Sequence, residues 1–238
     1  MTFSYVSFAR PSNNSTVNNA EVAKDAAHNA VDYLNQEFSS HEHDFLTWDY
    51  GESGCDPAAY EKEREYAKAC IEQLVDNDGM SPKENVVLPH SQVSWGYGYS
   101  LEHRYNGDLY AASSVYANST FHVKKWAMRA MTWHEIGHSL AYGTNTLSEH
   151  GSGSYDVIQE SGELKMDNIT PMGTSYTYDQ SGNVDTGYEG GSTPPEYFCE
   201  DRLNEAYDFA TGNKESLHDY TRYSKCTLDK IETWMDRF

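Results

Sequence analysis

Residues 134–138 read His-Glu-Ile-Gly-His inside MRAMTWHEIGHSLAYG, a stretch that is apolar on the helical period. Histidines four residues apart on a helix project from one face, close enough to share one metal ion. The pattern predicts a helix over about 122–142, with Trp126, Ala130, Trp133, Gly137, Leu140 and Ala141 as a buried stripe. His134 and His138 fall on the neighbouring strip, and Tyr142-Gly143 supplies a stop. Glu135 sits about 100° round from His134, where it can lean over the metal's open position as a general base. Imidazole suits Zn2+, and a catalytic zinc needs three protein ligands plus one open, solvent-facing vertex. The blander reading is a pair of histidines on an ordinary amphipathic helix.

The rest of the chain sets bounds on that reading. At 238 residues it is long enough for one large domain, or two lobes sharing a cleft, divided here into 1–143 and 144–238. Leu, Ile, Val and Phe are scarce, which with a net charge of −20 would by itself suggest disorder. The 19 Tyr and 5 Trp argue the other way, since each ring can bury a large surface. An ordered, aromatic-rich domain is expected. The excess of 37 Asp+Glu over 17 Lys+Arg argues against nucleic acid or an anionic membrane surface as partner. Few large aliphatics, few lysines and dense carboxylates resemble the composition of proteins from halophilic archaea.

No run reaches the roughly 18 apolar residues of a membrane span. The first 30 residues hold no basic segment followed by an apolar one, so no signal peptide is expected. Cys55, Cys70, Cys199 and Cys226 lack C-x-x-C spacing, which argues against a structural zinc site built from four cysteines. Local bridges Cys55–Cys70 and Cys199–Cys226 are one of three pairings and would suit an extracellular protein; four reduced, buried thiols are the alternative.

Along the chain, FSYVSFA at 3–9 and FLTWDY at 45–50 read as strands, with a helix of about 18–38 between them. Asp56-Pro57 opens a helix over about 57–76 that reads as an insertion. Residues 86–120 are strand-like and broken by turns, with Asn106-Gly107 the strongest hairpin signal. After Gly143 the chain turns Gly-, Ser- and Thr-rich, with a hairpin predicted at Ser181-Gly182-Asn183 between Tyr176 and Tyr188. Helices over about 196–211 and 226–237 close it.

This order, centred on His134, Glu135 and His138, resembles the metzincin clan of zinc endopeptidases. The fold implied is α+β: a mixed N-terminal sheet with backing helices, a long active-site helix, and an irregular C-terminal lobe ending in helices. The family pattern is H-E-x-x-H-x-x-G-x-x-H/D followed by a turn holding a methionine, for which Ile169-Thr170-Pro171-Met172-Gly173-Thr174 is suitably placed. The family's glycine would fall at Ala141 and its third ligand at Thr144, so this chain departs there. Gly143 comes two residues late, and His150 is the next histidine, expected to return as third ligand with Asp156 the next candidate. The resemblance implies hydrolysis of a peptide or protein substrate by a monomer, with Glu135 as base and Tyr176 or Tyr178 assisting. It also implies an edge strand above the cleft, expected within 108–118, where Ala111–Ser114 would leave it approachable. A protease with cysteines favours the outside of the cell, although no signal peptide is visible.

Three other readings compete. A gluzincin-like site would take Glu160, 22 residues after His138, as third ligand, with Glu163 close behind. Asn204-Glu205-Ala206-Tyr207-Asp208 is similar to the glutamate helix of those enzymes but stands further downstream than usual. Gly143-Thr144 is similar to the aspzincin pattern, without its following aspartate. Finally, the same histidines could hold a zinc closed by a fourth protein ligand in a non-catalytic binding domain.

Overall fold

The computed structural model describes residues 2–12, 17, 19–39, 43–92, 95, 98–117, 125–140, 223 and 225–236, and the backbone of 157–158, 168–169, 177–178 and 184–185. The chain divides into two compact units, Met1–Leu140 and Ala141–Arg237. The first is α+β around a mixed five-stranded sheet.

Its elements are β1 (Thr2–Arg10), α1 (Ala20–Glu37), β2 (His43–Glu52), α2 (Glu63–Asp78), β3 (Glu84–His90), β4 (Gly98–Tyr105), β5 (Asp108–Tyr116) and α3 (Lys125–Leu140). The sheet order is β2-β1-β3-β5-β4, parallel except for β4, which runs antiparallel to β5 at one edge. The β4–β5 turn is Asn106-Gly107, with φ of +52° and +96°. That double left-handed turn matches the twist of the two strands, which is why Asn-Gly sits there. Consequently β5 is an inner strand and β4 the edge, correcting the expectation of an edge within 108–118. The small residues Ala111–Ser114 are buried inside the sheet, so they do not keep an edge open.

Register places the helices. Paired residues share a face and neighbours alternate. Leu101 pairs with Ala112, which pairs with Val86. These three pack with Tyr66, Ala67, Cys70, Ile71 and Leu74 of α2. Ser100 and Ser113, one residue along, therefore face the other way, and both bond to α3. So α2 lies on one face, and α1 and α3 lie together on the other.

The scarcity of aliphatics is met by alanine and by rings. On α1, Ala20, Ala23, Ala26, Ala27 and Ala30 are buried, letting the backbone approach α3 and the sheet closely. Tyr33 of α1 packs against Trp133 of α3, ring centroids 5.4 Å apart and planes tilted by 45°. Asn35 closes two 2.8 Å hydrogen bonds with the backbone of Phe45, satisfying part of the β2 edge.

The helix expected at 57–76 is split. The Asp56 side chain accepts from Ala58 N and caps a 3-10 turn, Pro57–Ala59, and the α-helix restarts at Glu63 after extended Lys62. Its buried face completes the core on that side of the sheet. Cys55 and Cys70 are both buried free thiols in the same cluster, with no bridge between them. Cys55 donates to Gln73 Oε1 at 3.3 Å. Burial pushes the Cys70 thiol up, and its contact with Cys55 adds to that. Cys199 and the Cys226 side chain lie outside the described residues.

In the second unit, β6 (Val157–Ile158) pairs antiparallel with β7 (Asn168–Ile169), and β8 (Thr177–Tyr178) with β9 (Val184–Asp185). The β8–β9 pairing flanks Ser181-Gly182-Asn183, where a hairpin turn is expected and which lie outside the described residues. The closing helix is α4 (Lys225–Met235), with Ile231, Trp234 and Met235 buried at helical spacing. The helix expected at 196–211 lies outside the described residues. Among the described residues no helix is long and apolar enough to cross a membrane.

Candidate metal centre

Helix α3 carries the motif, and its setting is more enclosed than the amphipathic pattern implied. Every residue from Met131 to Leu140 is buried, polar ones included. Trp133, Ile136 and Leu140 form the apolar part of that surround, with Met128 and Met131. The side chains of Trp126 and Ala130, and the whole of Ala141, lie outside the described residues. Ser139 ties the helix to the sheet, meeting Ser113 Oγ at 2.8 Å and donating to the Ala112 carbonyl at 3.2 Å.

One helical turn apart, the two imidazoles meet. His134 Nε2 and His138 Nε2 are 2.9 Å from each other, and the rings stand edge-on at 83° with centroids 4.5 Å apart. Two N–H groups cannot face each other at that distance, so at most one of these nitrogens carries a proton. Two nitrogens sharing a tetrahedral zinc at about 2.0–2.1 Å would stand about 3.3 Å apart. The pair needs only a slight opening to fit that ion. Exposure is 2% for His134, 6% for Glu135 and 6% for His138, so the expected solvent-facing vertex is not seen at these side chains.

Glu135 turns to the edge strand. Ser100 Oγ lies 2.6 Å from Glu135 Oε2 and 2.7 Å from the Glu135 carbonyl oxygen, and its single proton serves both acceptors. Gly98, also on β4, makes the room. A Cβ there would stand 2.4 Å from Glu135 Oε1 and 2.7 Å from its Cδ. Burial pushes the Glu135 carboxyl up to about 8, the Ser100 hydrogen bond works against that push, and the charge of Glu63 adds to it.

That Glu63 belongs to a second buried pair. His90 Nε2 lies 3.0 Å from Glu63 Oε1, with His90 fully buried and Glu63 nearly so. Gln92 N donates to His90 Nδ1 at 3.2 Å, while Nε2 and Glu63 Oε1, though close, make no hydrogen bond of acceptable geometry. Trp95 and Tyr116 wall the imidazole at centroid distances of 5.2 and 5.6 Å.

The structure thus brings His134, His138 and Glu135 together. His150, Asp156, Glu160, Glu163, Met172, Tyr176, Asn204, Glu205 and Asp208 lie outside the described residues, as does the side chain of Tyr178. Among the described residues no three His, Cys, Asp or Glu side chains form a group that could hold a metal ion. Sequence reasoning missed Gly98 and Ser100, although glycine within a strand-like run is a sign of close backbone approach. It also missed Glu63 and His90, which carry no motif. No family model matches the chain, and no curated protein matches it.

Proposed function

We propose that the chain is a zinc-dependent endopeptidase of zincin, metzincin-like type. The observation that carries this reading is the convergence of two imidazole Nε2 atoms at 2.9 Å on one helix, with the intervening glutamate alongside. His134 and His138 would hold the ion through Nε2, and His150 is proposed as the third ligand. Bound zinc supplies an acidified water and polarises the substrate carbonyl. Glu135 takes a proton from the attacking water on a carboxylate oxygen and returns it to the leaving amine. The antiparallel edge strand β4 takes the place assigned earlier to 108–118. It carries Ser100, which touches Glu135, so an extended peptide paired with it would pass the base.

The enclosure of all three side chains favours one other reading, a closed zinc in a non-catalytic binding domain. Metal analysis together with proteolysis assays separates the two. Stoichiometric zinc with cleavage that disappears in Glu135→Ala supports the endopeptidase; stoichiometric zinc with no cleavage by the unaltered chain supports the closed site; no zinc removes both. Replacing His150, Asp156 and Glu160 one at a time then identifies the third ligand by which variant loses zinc.

A further inference from the structure

Ser100 stands out because its hydroxyl engages the proposed base from a different element. It sits on β4, three strand residues into a hairpin whose register is fixed by the Asn106-Gly107 turn. Its Oγ lies 2.6 Å from the Glu135 carboxylate and 2.7 Å from the carbonyl of the same residue. It therefore holds Glu135 at both ends, side chain and main chain. Gly98, two residues earlier on the same face of the strand, leaves the space that the carboxylate fills. A Cβ at Gly98 would crowd the Glu135 carboxylate and force it to shift, so glycine and serine bear on the same group.

A glutamate has three rotatable bonds, and a base must be held close to its productive geometry to work. We infer that Ser100, with the clearance at Gly98, is a positioning residue that fixes the Glu135 carboxylate against the substrate-binding edge strand. This rests on the endopeptidase reading. It adds a coupling between the strand and the base: a peptide that pairs with β4 lies on the same backbone that aims Glu135.

The test uses the full-length, zinc-loaded protein and a quenched-fluorescent peptide cleaved by the unaltered chain. Ser100→Ala is expected to lower kcat about 10–100-fold, the usual cost of removing a group that orients a ligand or catalytic residue. KM and zinc stoichiometry should stay where they were. Ser100→Thr keeps the hydroxyl and should restore most of kcat, which a merely space-filling role would not produce. Gly98→Ala should lower kcat in the same direction, and it supplies the test by itself if Ser100→Ala does not fold. Unchanged kcat in Ser100→Ala, or in Gly98→Ala where that is the variant that folds, overturns the inference. So does a Thr variant no better than Ala. If Glu135→Ala is inactive while Ser100→Ala is not, the positioning role falls and the endopeptidase stands. If the unaltered, zinc-loaded chain cleaves nothing, both fall.

Discussion

Two buried ionisable clusters sit on opposite faces of one sheet, and they solve the cost of burial differently. On the α2 face, Glu63 and His90 are a carboxylate and an imidazole 3.0 Å apart, closed in by Trp95 and Tyr116. They are of opposite type, one able to carry negative and the other positive charge. On the α3 face, His134 and His138 are like groups meeting at 2.9 Å, beside a carboxylate whose described partner is a neutral hydroxyl. The two facing nitrogens cannot both carry a proton, and the carboxylate gains no cation from Ser100. The first cluster is a contact between groups of opposite type. The second, two imidazoles and a carboxyl buried together, is the one for which we propose a bound zinc ion.

The largest expected effect breaks the second cluster. His134→Ala or His138→Ala should abolish zinc binding, read as metal content after dialysis, and with it all hydrolysis. Glu135→Ala should keep the zinc while cleavage falls about 10²–10⁴-fold, the usual worth of a general base. If His134→Ala keeps stoichiometric metal, the contrast between the clusters is lost. Next in size is the first cluster. Glu63→Ala leaves a buried imidazole without its carboxylate, and removing one member of a buried pair costs about 3–5 kcal/mol. Urea midpoints would show this, with zinc content unaffected. A shift below about 1 kcal/mol would mean that water already serves both groups.

How much of this was readable beforehand follows from what each signal depends on. The motif on α3 and the Asn106-Gly107 turn are local, and both were legible because short-range geometry dictates them. So were β1, β2 and α1, where alternation and helical spacing are unbroken. The edge strand was misassigned because its position depends on which partner β5 chooses. Residues 108–116 carry nothing local that distinguishes pairing with β3 on one side from an open edge. The helix at 57–76 was split by extended Lys62, and its role as a core element was invisible because polar residues dilute its apolar face. Ser100 reaches Glu135 across 35 positions, and His90 reaches Glu63 across 27; such partners become visible only once the sheet is assembled.

A pH experiment sharpens the same contrast without using activity. In the zinc-free protein the Glu135 carboxyl is raised from 4.5 to about 8, so the folded state holds its proton more tightly than the unfolded chain does. The associated stability is fully present below about 4.5 and is lost as pH rises through about 8. Glu135→Gln mimics the protonated form. It should match the unaltered protein at pH 4 and exceed it above pH 8, by an amount on the order of 2 kcal/mol once water relieves part of the burial cost. Thermal melts across that range would show it, and equal stability at pH 9 would mean that Glu135 ionises at no cost.

Salt gives the smallest effect and the cleanest separation of surface from interior. With a net charge of −20, the folded chain repels itself in dilute buffer. At 1 M salt the Debye length falls to about 3 Å and that repulsion is screened, so the melting temperature should rise. The Glu63–His90 pair is enclosed and should not respond. A double-mutant cycle of Glu63→Gln and His90→Asn, measured in dilute and in molar salt, should return the same coupling within about 0.5 kcal/mol. A coupling that collapses with salt would put the pair in contact with solvent, and the distinction drawn between the two faces of the sheet would have to be abandoned.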